Sequence, residues 1–234
     1  MSLLNSLIYR GRAVPVIWTV LAHPSATVAF ETYRTLLSQV PPLLPERVKV
    51  VLLADRGFAD TALMAFITQL GWHFRIRIKS NFWVYRAGKK RCQVNRFSLC
   101  LGQAICFQNV YLTNSQYGPV HLALAHLVNG ERWYVVSDEP NGVTTFNEYG
   151  LRFDIEENFL DDKSNGFQLE SSCIRSAEDL SRLCFVLAIT TLFLVSQGTQ
   201  VVKDNKRRWV SPHWFRGNSY LRIGWRWVKA ALVQ

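Results

Sequence analysis

Hydrophobic residues recur along this chain with two periods, and the alternation of the two predicts an α/β protein. Ser6–Arg10 and Ala13–Leu21 are rich in β-branched and aromatic residues and are separated by Gly11, which predicts a β-hairpin at the start. From Thr27 to Val40 the apolar positions Val28, Phe30, Tyr33, Leu36, Leu37 and Val40 follow helical spacing and stop at Pro41-Pro42. Val48–Ala54 is a short continuous apolar run, the pattern of a strand buried on both faces. Asp55 stands at its C-terminal end. Thr61–Leu70 again has helical periodicity and closes at Gly71. His73–Lys79 then alternates Phe74, Ile76 and Ile78 with Arg75, Arg77 and Lys79, a half-buried strand. Strand, helix and strand at this spacing predict a right-handed βαβ unit.

From about Phe82 to Asp138 the pattern changes. Four β-rich runs, Phe97–Leu101, Ala104–Leu112, Val120–Val128 and Trp133–Ser137, are separated by Gly, Asn and Pro, which predicts an antiparallel β subdomain inserted into the α/β frame. A helix is expected over Tyr149–Lys163, ending at Ser164-Asn165-Gly166, and an apolar helix from about Leu180 to Val195. The most apolar part of the latter, Leu183–Val195, is thirteen residues long. That is short of the roughly twenty needed to cross a bilayer, so a core helix is expected and no membrane partner.

Composition adds a partner class. A net charge of +10 and a pI near 9.6 favour a polyanion such as nucleic acid. From Lys203 to the C-terminus the chain has eight cations against Asp204 alone, with Trp209, Trp214, Trp225 and Trp227 among them. Such a segment can hold phosphates and stack on bases, or it can be a solvated, loosely packed end whose tryptophans cover the core. The five cysteines form no Cys-x-x-Cys pair, in keeping with reduced thiols in a cytoplasmic protein. The five histidines show no zinc-ligand spacing, and the N-terminus has no signal-peptide pattern.

The candidate chemistry sits on the predicted Tyr149–Lys163 helix. Tyr149, Arg152, Glu156 and Lys163 fall within roughly 60° of one another at about 100° per residue. One stripe then carries a carboxylate, two cations and a phenol. A carboxylate can hold a hard cation while Arg, Lys and a hydroxyl grip phosphate oxygens, although mixed charge is also common on a solvated helix face.

Together with Ala54-Asp55-Arg56-Gly57-Phe58 at a strand end, the Tyr149, Arg152, Glu156 and Lys163 spacing resembles the signature of bacterial insertion-sequence DDE transposases with a Tyr-Arg-Glu-Lys helix. The opening Tyr9–Trp18 segment is similar to the hairpin that follows the first catalytic strand of that family. The resemblance implies a ribonuclease-H-like fold over about residues 1–200, with a β insertion at about 82–138, and a separate basic, Trp-rich segment over 201–234. It implies two divalent metals, normally Mg²⁺, held by three carboxylates that cut and join DNA. Asp55 would be the second Asp and Glu156 the final Glu, both metal ligands and catalytic. Tyr149, Arg152 and Lys163 would contact phosphates of double-stranded DNA at a transposon end, where the family assembles as dimers.

One departure limits the activity expected. No Asp precedes Asp55, and the upstream acids are Glu31 and Glu46, neither at a suitable strand end. The expectation is an N-terminally truncated transposase copy, inactive alone because the site lacks a carboxylate. Two other readings stay open: a non-catalytic DNA-binding or dimerising fragment that interferes with an intact transposase, and an unrelated structural or membrane-surface protein.

Overall fold

The computed structural model describes residues 2–20, 30–142, 144–156, 167, 173–174, 176–212 and 217–233. They form two compact units, Thr27–Arg152 and Met1–Ala26 with Phe153–Gln234.

The Thr27–Arg152 unit is built on a seven-stranded sheet. Its strands are β3 (Val51–Ala54), β4 (His73–Arg77), β5 (Trp83–Tyr85), β6 (Cys92–Gln93), β7 (Ala104–Leu112), β8 (Tyr117–His126) and β9 (Arg132–Ser137). Their spatial order is β3-β4-β9-β8-β7-β5-β6. Only β3 and β4 pair in parallel; the other described pairs are antiparallel. The parallel pair needs a crossover, and the Thr61–Gln69 helix supplies it. Asp60 caps that helix by accepting from Ala62 N–H at 2.8 Å, satisfying one of the donors a helix start leaves over. Leu63, Met64 and Ile67 of the helix and Phe74, Ile76 and Ile78 beside it are buried. Each such side chain contributes about 1.5–3 kcal/mol by leaving water.

The antiparallel strands between residues 83 and 137 join the sheet that contains β3 and β4, because β9 pairs directly with β4. Three other expectations are altered. Phe97–Leu101 is not a strand: Phe97 follows a 3-10 turn, Val94–Arg96, and packs on Phe107 at 4.9 Å. Val51–Ala54 is half-buried along most of its length, since β3 is an edge of this sheet. Arg75, expected to face solvent, is 5% exposed, for a reason given below.

The second unit opens on the expected hairpin, β1 (Ser2–Tyr9) with β2 (Arg12–Val20). Arg10 and Gly11 both take positive φ, 53° and 73°, as a two-residue hairpin turn matched to strand twist requires. The register slips between Asn5 and Ser6, opposite Pro15, which has no N–H for the ladder. Ser176 caps the helix Ala177–Lys203, with Glu178 and Asp179 in its first turn and Lys203 in its last, charges that suit the helix dipole.

At 27 residues this helix is twice the length of its apolar run, because polar turns extend it at both ends. Among the described helices it is the one long and apolar enough to cross a membrane by length and composition, and 28% of its apolar window is buried in the protein. Leu187, Thr191, Leu194, Val195 and Gly198 lie on its buried side. Phe185, Val186, Ile189, Leu192 and Phe193 are exposed on the other.

The buried side meets the helix Tyr220–Leu232, capped by Ser219. Gly198 and Gly224 set the crossing. A Cβ on Gly198 would lie 1.9 Å from the carbonyl oxygen of Tyr220, and one on Gly224 would lie 1.8 Å from that of Leu194. Glycine at both positions lets the two backbones touch. Within the basic, Trp-rich C-terminal segment Leu221 and Ile223 are buried and Trp209 and Trp225 are exposed, with the tilted Trp209 and Trp227 rings 6.1 Å apart.

Candidate functional site

Asp55 follows the last residue of β3. Its backbone is extended, and its carboxylate accepts from Arg56 N–H at 2.7 Å, starting the 3-10 turn Arg56–Phe58. Phe58 N–H closes the turn on Asp55 O at 2.8 Å. The short turn holds the carboxylate at the strand end instead of letting it swing into solvent. It opens on a cleft of about 860 Å³, lined also by Arg56, Arg77, Lys79, Arg132 and Tyr134. One carboxylate thus shares the cleft with four cations.

These cations are not equivalent. Arg77 is tied to Glu131 at 2.7 Å and to Arg132 O at 3.0 Å, and its guanidinium lies 5.9 Å from the centre of the Trp133 ring. Burial acts to raise the pKa of Glu131, but hydrogen bonds from Trp133 and Arg77 and the charges of Arg77 and Arg56 bring it below the usual carboxylate range. Glu131 thereby stays ionised and fixes Arg77 in the cleft wall. Arg56, Lys79 and Arg132 have no carboxylate partner among the described residues and remain available to an anion.

Tyr149 and Arg152 belong to the same unit as Asp55. Tyr149 is fully buried, at 0% exposure, edge-on to Trp133 with ring centres 5.3 Å apart. Burial raises its pKa; the Asp55 charge adds to the rise, and Arg152 and Arg77 oppose it. Tyr149 is therefore a neutral phenol in the field of Asp55. Arg152 lies over its ring at 5.9 Å.

The single continuous stripe expected from the sequence is interrupted. The α-helix Thr144–Gly150 gives way to a 3-10 turn, Leu151–Phe153, before residues 154–156 become helical again. Gly150 is a poor residue for a helix interior, and a 3-10 turn rotates about 120° per residue rather than 100°. Glu156 is exposed in the other unit, and Lys163 lies outside the described residues.

What positions Tyr149 is a polar cluster that nothing in the residue pattern announced. Arg75 donates from Nε to Glu148 at 2.9 Å, from Nη2 to Glu139 at 2.9 Å, and from Nη1 to Ser137 Oγ at 2.6 Å. His73 Nδ1 meets Asp138 at 2.7 Å, and Lys49 pairs with Glu139. Glu148 sits one residue before Tyr149, so the buried guanidinium ties the helix to β4 and β9. The local signals were an Arg in an alternating strand and the acidic pair Asp138-Glu139, which separately look like solvent-facing charge.

Among the described residues no three His, Cys, Asp or Glu side chains come together around a common centre. Asp55 supplies a hard oxygen of the right kind for a divalent ion, and in the cleft it stands among four cations. None of the five cysteines is in a disulfide. No curated protein matches the chain. A family model for the transposase DDE domain matches residues 6–193, and the mixed α/β sheet with its helices is the ribonuclease-H-like architecture of such a domain. With the match spanning most of its 234 residues, the chain belongs to the transposase DDE domain family.

Proposed function

We propose that this protein carries the DNA-handling chemistry of a bacterial insertion-sequence transposase with the Tyr149, Arg152, Glu156 and Lys163 signature. The observation that carries this reading is Asp55, held at the end of β3 on a cleft with Arg56, Lys79 and Arg132, which have no carboxylate partner among the described residues. In this reading the cations Arg56, Lys79 and Arg132 take phosphate oxygens of double-stranded transposon-end DNA. Asp55 and Glu156 each offer a carboxylate to a divalent ion, which members of the family use and which we take to be Mg²⁺. Such an ion supplies nucleophile activation and leaving-group stabilisation. Arg152 and Lys163 steady the DNA strand, and Tyr149 orients the Arg152 guanidinium from beneath. Residues 1–200 act as the catalytic domain, 201–234 as its basic, Trp-rich continuation, and two copies act together on paired DNA ends.

The 234 residues alone offer no Asp ahead of Asp55, so we infer that they bind DNA and a metal weakly and do not cut. Titrating Mn²⁺ into the protein and into its Asp55→Asn and Glu156→Gln variants, followed by electron paramagnetic resonance, tests the shared site. Both substitutions are expected to weaken Mn²⁺ uptake, with the double variant no worse than the weaker single. Loss in one variant alone would show that the two carboxylates do not share an ion. Metal-dependent nicking of a duplex by the unmodified chain, abolished in Glu156→Gln, would overturn the inference of inactivity.

A further inference from the structure

Between Asp60 and Glu131 the chain runs for seventy residues without a single Asp or Glu, while carrying eight Lys and Arg. Two of the eight, Arg75 and Arg77, are neutralised by carboxylates from outside the stretch, Glu139, Glu148 and Glu131. The other six, Lys79, Arg86, Lys89, Lys90, Arg91 and Arg96, form no ion pair with a described residue. Five of these gather around one end of the seven-stranded sheet, on the β5–β6 hairpin and the turn behind it.

The hairpin is built to hold its charge outward. Lys89 N–H closes a turn on Arg86 O at 3.1 Å, with Gly88 at φ 66°, a conformation that glycine adopts without strain. Lys89, Lys90 and Arg91 are exposed at the tip. The two arginines that flank the turn are braced by aromatic rings rather than by carboxylates. Arg91 lies over Trp83 at 4.9 Å and donates to Tyr85 OH at 3.2 Å. Arg86 sits against Phe97 and Phe107 at 4.8 and 4.7 Å. Aromatic faces fix a guanidinium without cancelling its charge, so the cations are ordered and still free to meet an anion.

We propose that the β5–β6 hairpin is a second duplex-DNA contact that grips phosphates away from the cleft. This inference rests on the transposase reading and extends it to where the DNA lies. The 3-10 turn Val94–Arg96 joins the two places: Asn95 N–H donates to Ser80 O at 2.9 Å and Val94 N–H to Phe82 O at 2.9 Å, directly beside the cleft residues Lys79, Ser80 and Asn81. From Asn81 to Gly88 an extended chain spans at most about 23 Å. At about 3.4 Å per base pair the track covers roughly seven base pairs. A polyanion with regularly spaced charge fits it. An anionic membrane fits less well, because the turn Arg86-Ala87-Gly88-Lys89 offers no large apolar side chain to insert at a lipid interface.

The test compares binding of a fluorescent 20-base-pair duplex, over a range of salt, by the unmodified protein and by Lys89→Gln/Lys90→Gln/Arg91→Gln. A charge-matched control, Arg34→Gln/Arg47→Gln/Arg182→Gln, removes three exposed cations elsewhere. The hairpin variant is expected to bind about tenfold or more weakly at 0.1 M salt, and its log affinity against log salt slope is expected to flatten by about 2–3, while the control changes little. An unchanged thermal midpoint shows that the hairpin variant is folded. Equal losses in both triple variants would reduce the effect to net charge and overturn the proposal. An equal loss of binding to phosphatidylserine vesicles would assign the hairpin to membranes and overturn it as well. A protein that binds duplex normally without its hairpin cations refutes this inference and leaves the transposase reading standing; an unmodified protein with no duplex affinity at low salt refutes both. Asp55→Asn, which removes a carboxylate, is expected to bind the duplex at least as well as the unmodified protein.

Discussion

Two residues with the same apparent surface character end in opposite surroundings. Arg75 and Arg77 alternate with Phe74 and Ile76 on one strand, yet Arg75 is buried among Ser137, Glu139 and Glu148 while Arg77 lines the cleft. Removing the buried guanidinium takes away the partner of Glu148 and leaves Glu139 to Lys49 and His73. Arg75→Met is expected to destabilise the protein by about 3–5 kcal/mol, because breaking one side of a buried ion pair strands the other; urea unfolding measures it. Tyr149→Ala, which empties a fully buried site, is expected to cost about 3–5 kcal/mol, whereas Tyr149→Phe keeps the ring and its packing on Trp133.

The same cluster sets a pH dependence. Burial acts to raise the pKa of Glu139, but hydrogen bonds from Lys49 and Arg75 and the charges of His73 and Arg75 bring it below its ordinary value. A carboxylate with a depressed folded-state pKa adds stability above the unfolded-state value, about 4.3. That stability is lost as pH falls from there through the folded value, because the unfolded chain binds the proton more tightly. Thermal melting from pH 7 to pH 3 should show a falling midpoint below about pH 4.3, with a shallower fall in Glu139→Gln.

Among the elements, the crossing of Ala177–Lys203 with Tyr220–Leu232 has the least tolerance. Gly198→Ala and Gly224→Ala each place a methyl group less than 2.0 Å from a carbonyl oxygen of the facing helix. Forcing the helices apart is expected to cost at least the about 1–3 kcal/mol typical of overpacking, read as a lower melting midpoint by circular dichroism. Asp60→Ala is milder: loss of the cap on Thr61–Gln69 should cost about 1 kcal/mol.

Element types were largely legible in the residue pattern. The opening hairpin, the Thr61–Gln69 helix and the Phe74, Ile76, Ile78 alternation all follow from local periodicity and turn residues, which act over a few positions. The missed features are those that local pattern cannot carry. Phe97 has strand-like neighbours but is drawn into a turn by Arg86 and Phe107. The Thr144–Gly150 helix breaks into a 3-10 turn where a steady 3.6-residue period predicted continuity.

For the whole molecule, the +10 net charge is divided between paired and unpaired cations, and it is the unpaired ones that bear on a partner. Duplex affinity is expected to fall steeply between 50 and 200 mM salt, by about 10³-fold or more if six phosphates are contacted; anisotropy titration at several salt concentrations checks it. Residue types and order were enough to recognise the α/β class, a polyanionic partner and Asp55 at a strand end, because periodicity, net charge and motif spacing are properties of the chain before it folds. Which cations are cancelled, why Arg75 is inside, and why Lys89–Arg91 stand free while Tyr149 is enclosed were settled by the tertiary structure. Those outcomes depend on pairings such as Arg75 with Glu148 and Arg77 with Glu131, between residues more than fifty positions apart, whose meeting no local pattern encodes.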